Sequence, residues 1–336
     1  MKRVFLSVAA AALCLVVTSC SKYRYEEIAG DPMRSRIYTL DNGLKVYMTV
    51  NKEAPRIQTY IAVRVGAKND PLETTGLAHY FEHLMFKGTE QFGTQNFEAE
   101  RPMLDEIERL FEVYRATTDP DERRAIYARI DSVSQEASKL AIPNEYDKLM
   151  SAIGASGTNA FTSYDMTVYT EEIPSNRIDD WAKIQADRFA NAVIRGFHTE
   201  LETVYEEYNM SLTRDGSKMF DSLMMALYPH HPYGMHSVLG TQNDLKNPSI
   251  TNIKNYYKTY YVPNNMAVCL SGDFDPDRMI ATIDKYFGSL QPNPELPEWT
   301  FTPEPAMTAP VEKTVLGQEA EMVYLCLLYT SDAADD

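Results

Sequence analysis

Three side chains in one short stretch have the types and spacing to hold a metal ion and use it: His79, Glu82 and His83, in the order H-x-x-E-H. Leu77, Phe81, Leu84 and Met85 recur around them at helical intervals, so the stretch reads as a helix. Thr75 is the expected N-cap and Gly88 the expected stop. On a helix, residues i and i+4 lie one turn apart on the same face, so two imidazoles can grip one ion. Glu82 falls in the same wedge, where it can act on a water without binding the metal. The chain has only six histidines, and the apolar neighbours bury most of this helix, so a polar trio here needs a purpose.

Two imidazoles leave Zn²⁺ short of a third protein ligand. Carboxylates are available at Glu200, Glu202, Glu206 and Glu207, in a long helix expected from His198 to about Tyr228. Glu200 and Glu207 stand two turns apart on one face. His230, His231 and His236 lie in a proline-bracketed loop, with a second metal site there the lesser reading.

These segments resemble the inverted zincins of the pitrilysin/insulinase family of metallopeptidases, nearest its bacterial and mitochondrial-processing branch. The resemblance is carried by G-L-A-H-Y-F-E-H-L-M-F-K-G-T-E (76–90), G-T-N-A-F-T-S-Y-D (157–165) and E-L-E-T-V-Y-E-E (200–207), in the family's order. It implies an α+β fold, a two-layer α/β sandwich of the mitochondrial-processing-peptidase-like metallohydrolase type. It implies one Zn²⁺ per chain on His79, His83 and Glu207, with Glu82 as general base and Glu200 supporting the site from behind. It also implies that Asn159, Ala160 and Phe161 pair with a peptide substrate as an added strand. The family closes two halves around its substrate, so a missing C-terminal half or a partner chain is implied as well. The leading reading is a zinc endopeptidase for peptides or small unfolded proteins. The other reading is a non-catalytic subunit or scaffold, since the family contains such members.

The elements that position these residues follow from the pattern. Arg36–Leu40 and Leu44–Val50 alternate as strands around Asp41-Asn42-Gly43, a hairpin turn, and Ile57–Val65 is a third strand. Residues 94–143 read as a helical hairpin, with Asp119-Pro120 capping its second helix. The span from His83 to Glu207 is longer than the family usually shows, and this hairpin accounts for the excess as an insertion. Strand character returns from Gly154 to Glu172. A helix over 175–193, a helix over 249–260, a strand over 264–271 and a helix from Asp275-Pro276 to Gly288 complete the body. A proline-rich linker covers 291–311, and a new strand is expected near Glu319.

The ends carry their own signals. Met-Lys-Arg followed by an apolar run too short to span a bilayer reads as a signal peptide over 1–19. Val17-Thr18-Ser19-Cys20 resembles a lipobox, so Cys20 is the expected lipidation site and the membrane a partner through that anchor. The expected location is the bacterial cell envelope, exported and lipid-anchored, periplasmic or at the outer membrane. Residues 20–34 read as a tether, 35–240 as the N-terminal peptidase domain, 241–325 as the incomplete start of a second family domain, and 326–336 as a non-native tail. A net charge of −16 disfavours nonspecific nucleic-acid binding. Of four cysteines only Cys269 lies in the body, inside an apolar run, so no disulfide framework is expected.

Overall fold

A computed structural model describes residues 22–298, 300, 303–305, 307 and 309–318. The signal segment, Cys20, the strand near Glu319 and the 326–336 tail lie outside the described residues.

Seven strands form one mixed sheet: β1 (Tyr25–Glu27), β2 (Arg36–Thr39), β3 (Lys45–Val50), β4 (Arg56–Val63), β5 (Ser156–Thr162), β6 (Thr167–Pro174) and β7 (Met266–Gly272). Their order is β1-β2-β3-β7-β4-β6-β5. All neighbours are antiparallel except β3 and β7. Alternation along β4 sets the faces: Ile57, Thr59, Ile61 and Val63 are buried beneath the helices, while Tyr60 points the other way and is exposed. Val46, Met48, Val268 and Leu270 continue the buried face on the neighbouring strands. This is the two-layer α/β arrangement expected from the sequence.

The helices are α1 (Leu77–Leu84), α2 (Phe97–Ala116), α3 (Pro120–Ser138), α4 (Glu145–Ala152), α5 (Ile178–Ala190), α6 (Phe197–Thr213) and α7 (Asp215–Leu227). The single-turn α8 (Pro232–Met235) and α9 (Gln242–Leu245), then α10 (Ile250–Tyr260) and α11 (Pro276–Phe287), complete the set. Helices α2 and α3 form the helical hairpin expected over 94–143. Asn96 and Asp119 cap them, accepting from Ala99 and from Asp121 and Glu122. A buried pair, Glu100 with Arg195, ties the hairpin to the start of α6 at 2.7 and 2.9 Å. Ser249 donates to Glu112 at 2.7 Å and ties it to α10.

Several expectations are corrected. Thr75 does not cap α1; its hydroxyl donates to Asp244 instead. The cap position is Gly76 at φ 83, and buried Asp70 accepts from the amides of Gly76 and Ala78. Glycine is required there, because a Cβ would stand 2.8 Å from the Leu239 carbonyl oxygen. The long helix from His198 is two helices. Arg214 is extended between them, where Thr213, Asp215 and Gly216 are weak helix formers. The tether over 20–34 contains β1, which extends the sheet by pairing with β2. Past the boundary expected at 241, the chain returns to the sheet, where β7 sits between β3 and β4. Helix α4, after Pro143, is an element the sequence pattern did not announce.

Candidate metal centre

Helix α1 presents His79 and His83 as two rings 4.7 Å apart, and α6 crosses it with Glu200 and Glu207 facing them. The Nε2 atoms of His79 and His83 lie 3.4 and 3.6 Å from the same oxygen, Oε2 of Glu207. Donors about 2.0–2.2 Å from a tetrahedral ion stand roughly 3.3–3.6 Å from one another, so the spacing suits zinc. Two imidazoles and one carboxylate are also the donor set of an open zinc site. Among the described residues these three are the only group of histidines, cysteines and carboxylates close enough to share an ion.

The two imidazoles are held differently. His83 donates from Nδ1 to Glu200 at 2.8 Å, and the other oxygen of Glu200 pairs with the Lys87 ammonium. The ring of His83 is therefore oriented by a charged partner, as metal-binding histidines commonly are. The buried Nδ1 of His79 has no partner, so on that side packing sets its ring. Burial, then the neighbouring His83, pushes His79 down to about 4, which keeps it neutral. At His83 burial acts downward, but the hydrogen bond to Glu200 and the charges of Glu207, Glu200 and Glu82 outweigh it and raise the group. Burial raises Glu200, yet the hydrogen bonds from His83 and Lys87 bring it below its usual range.

Glu82 points toward the sheet and is 7 % exposed. Its Oε2 accepts from the Thr162 hydroxyl at 2.5 Å. Burial raises its carboxyl, partly offset by that hydrogen bond. Thr162 ends β5, an outer strand of the sheet, which pairs with β6 in a register that sets Ala160 opposite Tyr169 and Phe161 opposite Val168. A groove of about 560 Å³ runs past the centre, lined by the α1 trio, Phe86, Lys87, Asp147, residues 159–162 of β5, Glu200 and Glu207. Asn159, Ala160 and Phe161 all line it, and Phe161 is 46 % exposed.

Other candidates lie elsewhere. Glu202 and Glu206 are exposed. His230 pairs with Glu304 at 3.1 Å, His231 accepts from the Tyr233 amide, and His236 donates to the Ala67 carbonyl at 2.8 Å. His198, in the first turn of α6, packs on Tyr127 and approaches Asp131 at 3.7 Å. Thr162 and Lys87 are contributors that spacing did not single out. Both stand inside the quoted motif stretches, which is the signal that could have found them.

Two family models match the chain: the insulinase peptidase family M16 over residues 45–124, and the peptidase M16 inactive domain over 249–336. An uncharacterised zinc protease, YmxG of Bacillus subtilis, is 22 % identical over 292 residues, covering 86 % of this chain and 58 % of its own length. A probable mitochondrial-processing peptidase subunit beta of Arabidopsis thaliana is 21 % identical, covering 86 % of this chain and 44 % of its own. The fold is shared with a protease from Helicobacter pylori, at a TM-score of 0.60 and 22 % identity over 82 % of this chain and 53 % of that one. It is shared with pitrilysin at a TM-score of 0.60 and 20 % identity, over 83 % and 26 %. The chain spans about half the length of the curated relatives it matches. With the helix of the H-x-x-E-H motif inside the first match and the pitrilysin fold around it, this chain belongs to the insulinase (M16) family of peptidases.

Proposed function

We propose that the chain carries the metal centre of a zinc endopeptidase acting on peptides or small unfolded proteins in the cell envelope. The observation that carries this reading is the convergence of His79, His83 and Glu207 within ligand spacing, beside a buried Glu82. His79, His83 and Glu207 would hold one Zn²⁺, and Glu200 would orient His83. Zinc, when bound, supplies a Lewis acid that polarises the scissile carbonyl and acidifies a water. Glu82 takes a proton from that water and returns it to the leaving amine. The Thr162 hydroxyl aims the Glu82 carboxylate while it does so.

Substrate lies along β5, taking main-chain hydrogen bonds from the strand's open edge and gaining affinity with little sequence demand. Asn159, Ala160 and Phe161 form that edge. A second half or a partner chain would close over the groove and complete the binding surface. Relatives with about twice this chain's length support such a closing part. Export and anchoring through a lipid on Cys20 belong to the same proposal, as does the start of a second family domain over 241–325. No helix among the described residues is long and apolar enough to cross a membrane.

The alternative, a non-catalytic subunit or scaffold, draws on the match of residues 249–336 to a domain described as inactive. One experiment separates the two readings. Metal content is measured on the parental chain and on Glu82→Gln, followed by a quenched-peptide assay with and without chelator, alone and with the closing half supplied. The enzyme reading expects one zinc in both proteins, chelator-sensitive cleavage by the parent, and turnover down by about 10²–10⁴ in the variant. Zinc without cleavage under every condition would favour the scaffold.

A further inference from the structure

Helix α1 has only two turns, yet it carries both imidazoles and the carboxylate between them. The carbonyls of Glu82, His83 and Leu84 are met by the amides of Met85, Phe86 and Lys87, which tighten the last turn. The carbonyl of Met85, the residue that ends the helix, is met from another element and accepts from Nε of Arg188 on α5 at 2.9 Å. Arg188 is 0 % exposed, and its guanidinium lies 4.4–4.6 Å from the rings of Phe86, Tyr146 and Tyr169. Nη1 donates to the Tyr146 hydroxyl at 3.0 Å and to Gln185 at 3.2 Å. Tyr146 and Gln185 both donate to buried Glu171, at 2.6 and 2.7 Å. The charge of Arg188 is thus answered through intermediaries, and its buried Nη2 has no partner.

A guanidinium is costly to bury, and an apolar side chain of similar volume would fill this space without that cost. Its placement explains the cost. At the opposite end of α1, buried Asp70 accepts from the Gly76 and Ala78 amides at 2.8 and 2.9 Å. The helix is held between an acid at its N-terminus and a base at its C-terminus, each matched to the sign of the helix dipole. Met85 is two residues from His83 and three from Glu82, so a shift at that carbonyl carries both side chains with it.

We propose that Arg188 is a positioning residue for the metal centre: through the Met85 carbonyl it sets where α1 presents its imidazoles and Glu82 to the groove. This deepens the peptidase reading and rests on it. The test uses Arg188→Met, Arg188→Lys and Tyr146→Phe in the full chain, loaded with Co²⁺ or Zn²⁺. Arg188→Met is expected to shift the cobalt absorption bands and weaken metal affinity about tenfold or more. Its kcat should fall by a similar factor with KM within about twofold, because substrate contacts are untouched. Lysine should recover part of each loss, and Tyr146→Phe should show the same changes on a smaller scale.

A folded Arg188→Met or Tyr146→Phe protein with parental cobalt spectrum, affinity and kcat would overturn the proposal, whatever its melting temperature. If Arg188→Met does not fold, parental values in both Arg188→Lys and Tyr146→Phe overturn it equally. A parent that binds cobalt but never cleaves peptide, even with the closing half supplied, would sink the peptidase reading alone. A parent that binds neither ion sinks both.

Discussion

The two helices that bring the site together are built to opposite specifications. Helix α1 is short and buried on Leu77, Ala78, Phe81 and Leu84, with a polar partner at each end. Helix α6 is twice as long, but its buried residues, Phe197, Glu200, Leu201 and Val204, all lie in its first half. Glu207 comes after them, with a side chain 43 % exposed against 12 % for His79. One wall of the centre is therefore fixed by the core. The other is completed by a carboxylate on a stretch beyond Val204, the last fully buried residue of α6, where only the half-buried Tyr205 and Tyr208 still touch the core.

This contrast can be broken by removing donors one at a time. His79→Ala is expected to lose zinc outright, while Glu207→Ala keeps weak binding, measured as metal content and by competition with a chelator. Equal losses would mean that α6 is held as firmly as α1. Next in size, Glu200→Gln is expected to weaken zinc about 10–100-fold, since it replaces the charged acceptor that orients His83. An unchanged affinity would show that packing sets His83 as it sets His79. The smallest effect falls on the substrate side. Phe161→Ala should raise KM a few-fold with kcat kept. The stability of so exposed a site should stay within about 0.5 kcal/mol, checked by urea unfolding.

How much of this was legible beforehand depended on the range of each interaction. The trio on α1 could be read from spacing because a helix places i and i+4 together with no help from the rest of the chain. The hairpin of α2 and α3 was legible for the same reason, through local periodicity and the Asp119-Pro120 cap. The pairing of α1 with α6 was not. Among Glu200, Glu202, Glu206 and Glu207, spacing left the choice open, and only the resemblance pointed to Glu207. Asp70 displaced Thr75 as the cap because a carboxylate from the preceding loop outcompeted the local hydroxyl. Arg188 gave no signal at all. Its contacts reach Met85, Tyr146 and, through Tyr146 and Gln185, Glu171, all distant in sequence or on other elements, and a lone arginine in an amphipathic helix reads as surface.

The placement of β7 reaches beyond the finished molecule. This strand fills the gap between β3 and β4, two strands made early, with a segment made late. During synthesis the hairpin of β2 and β3 and the pair of β4 with β6 can form while their facing edges stay unpaired until Met266–Gly272 has emerged. Unpaired edges of that kind invite association with other chains, and pairings between distant segments form slowly. Nascent protein halted before Gly272 would hold an open seam through its middle.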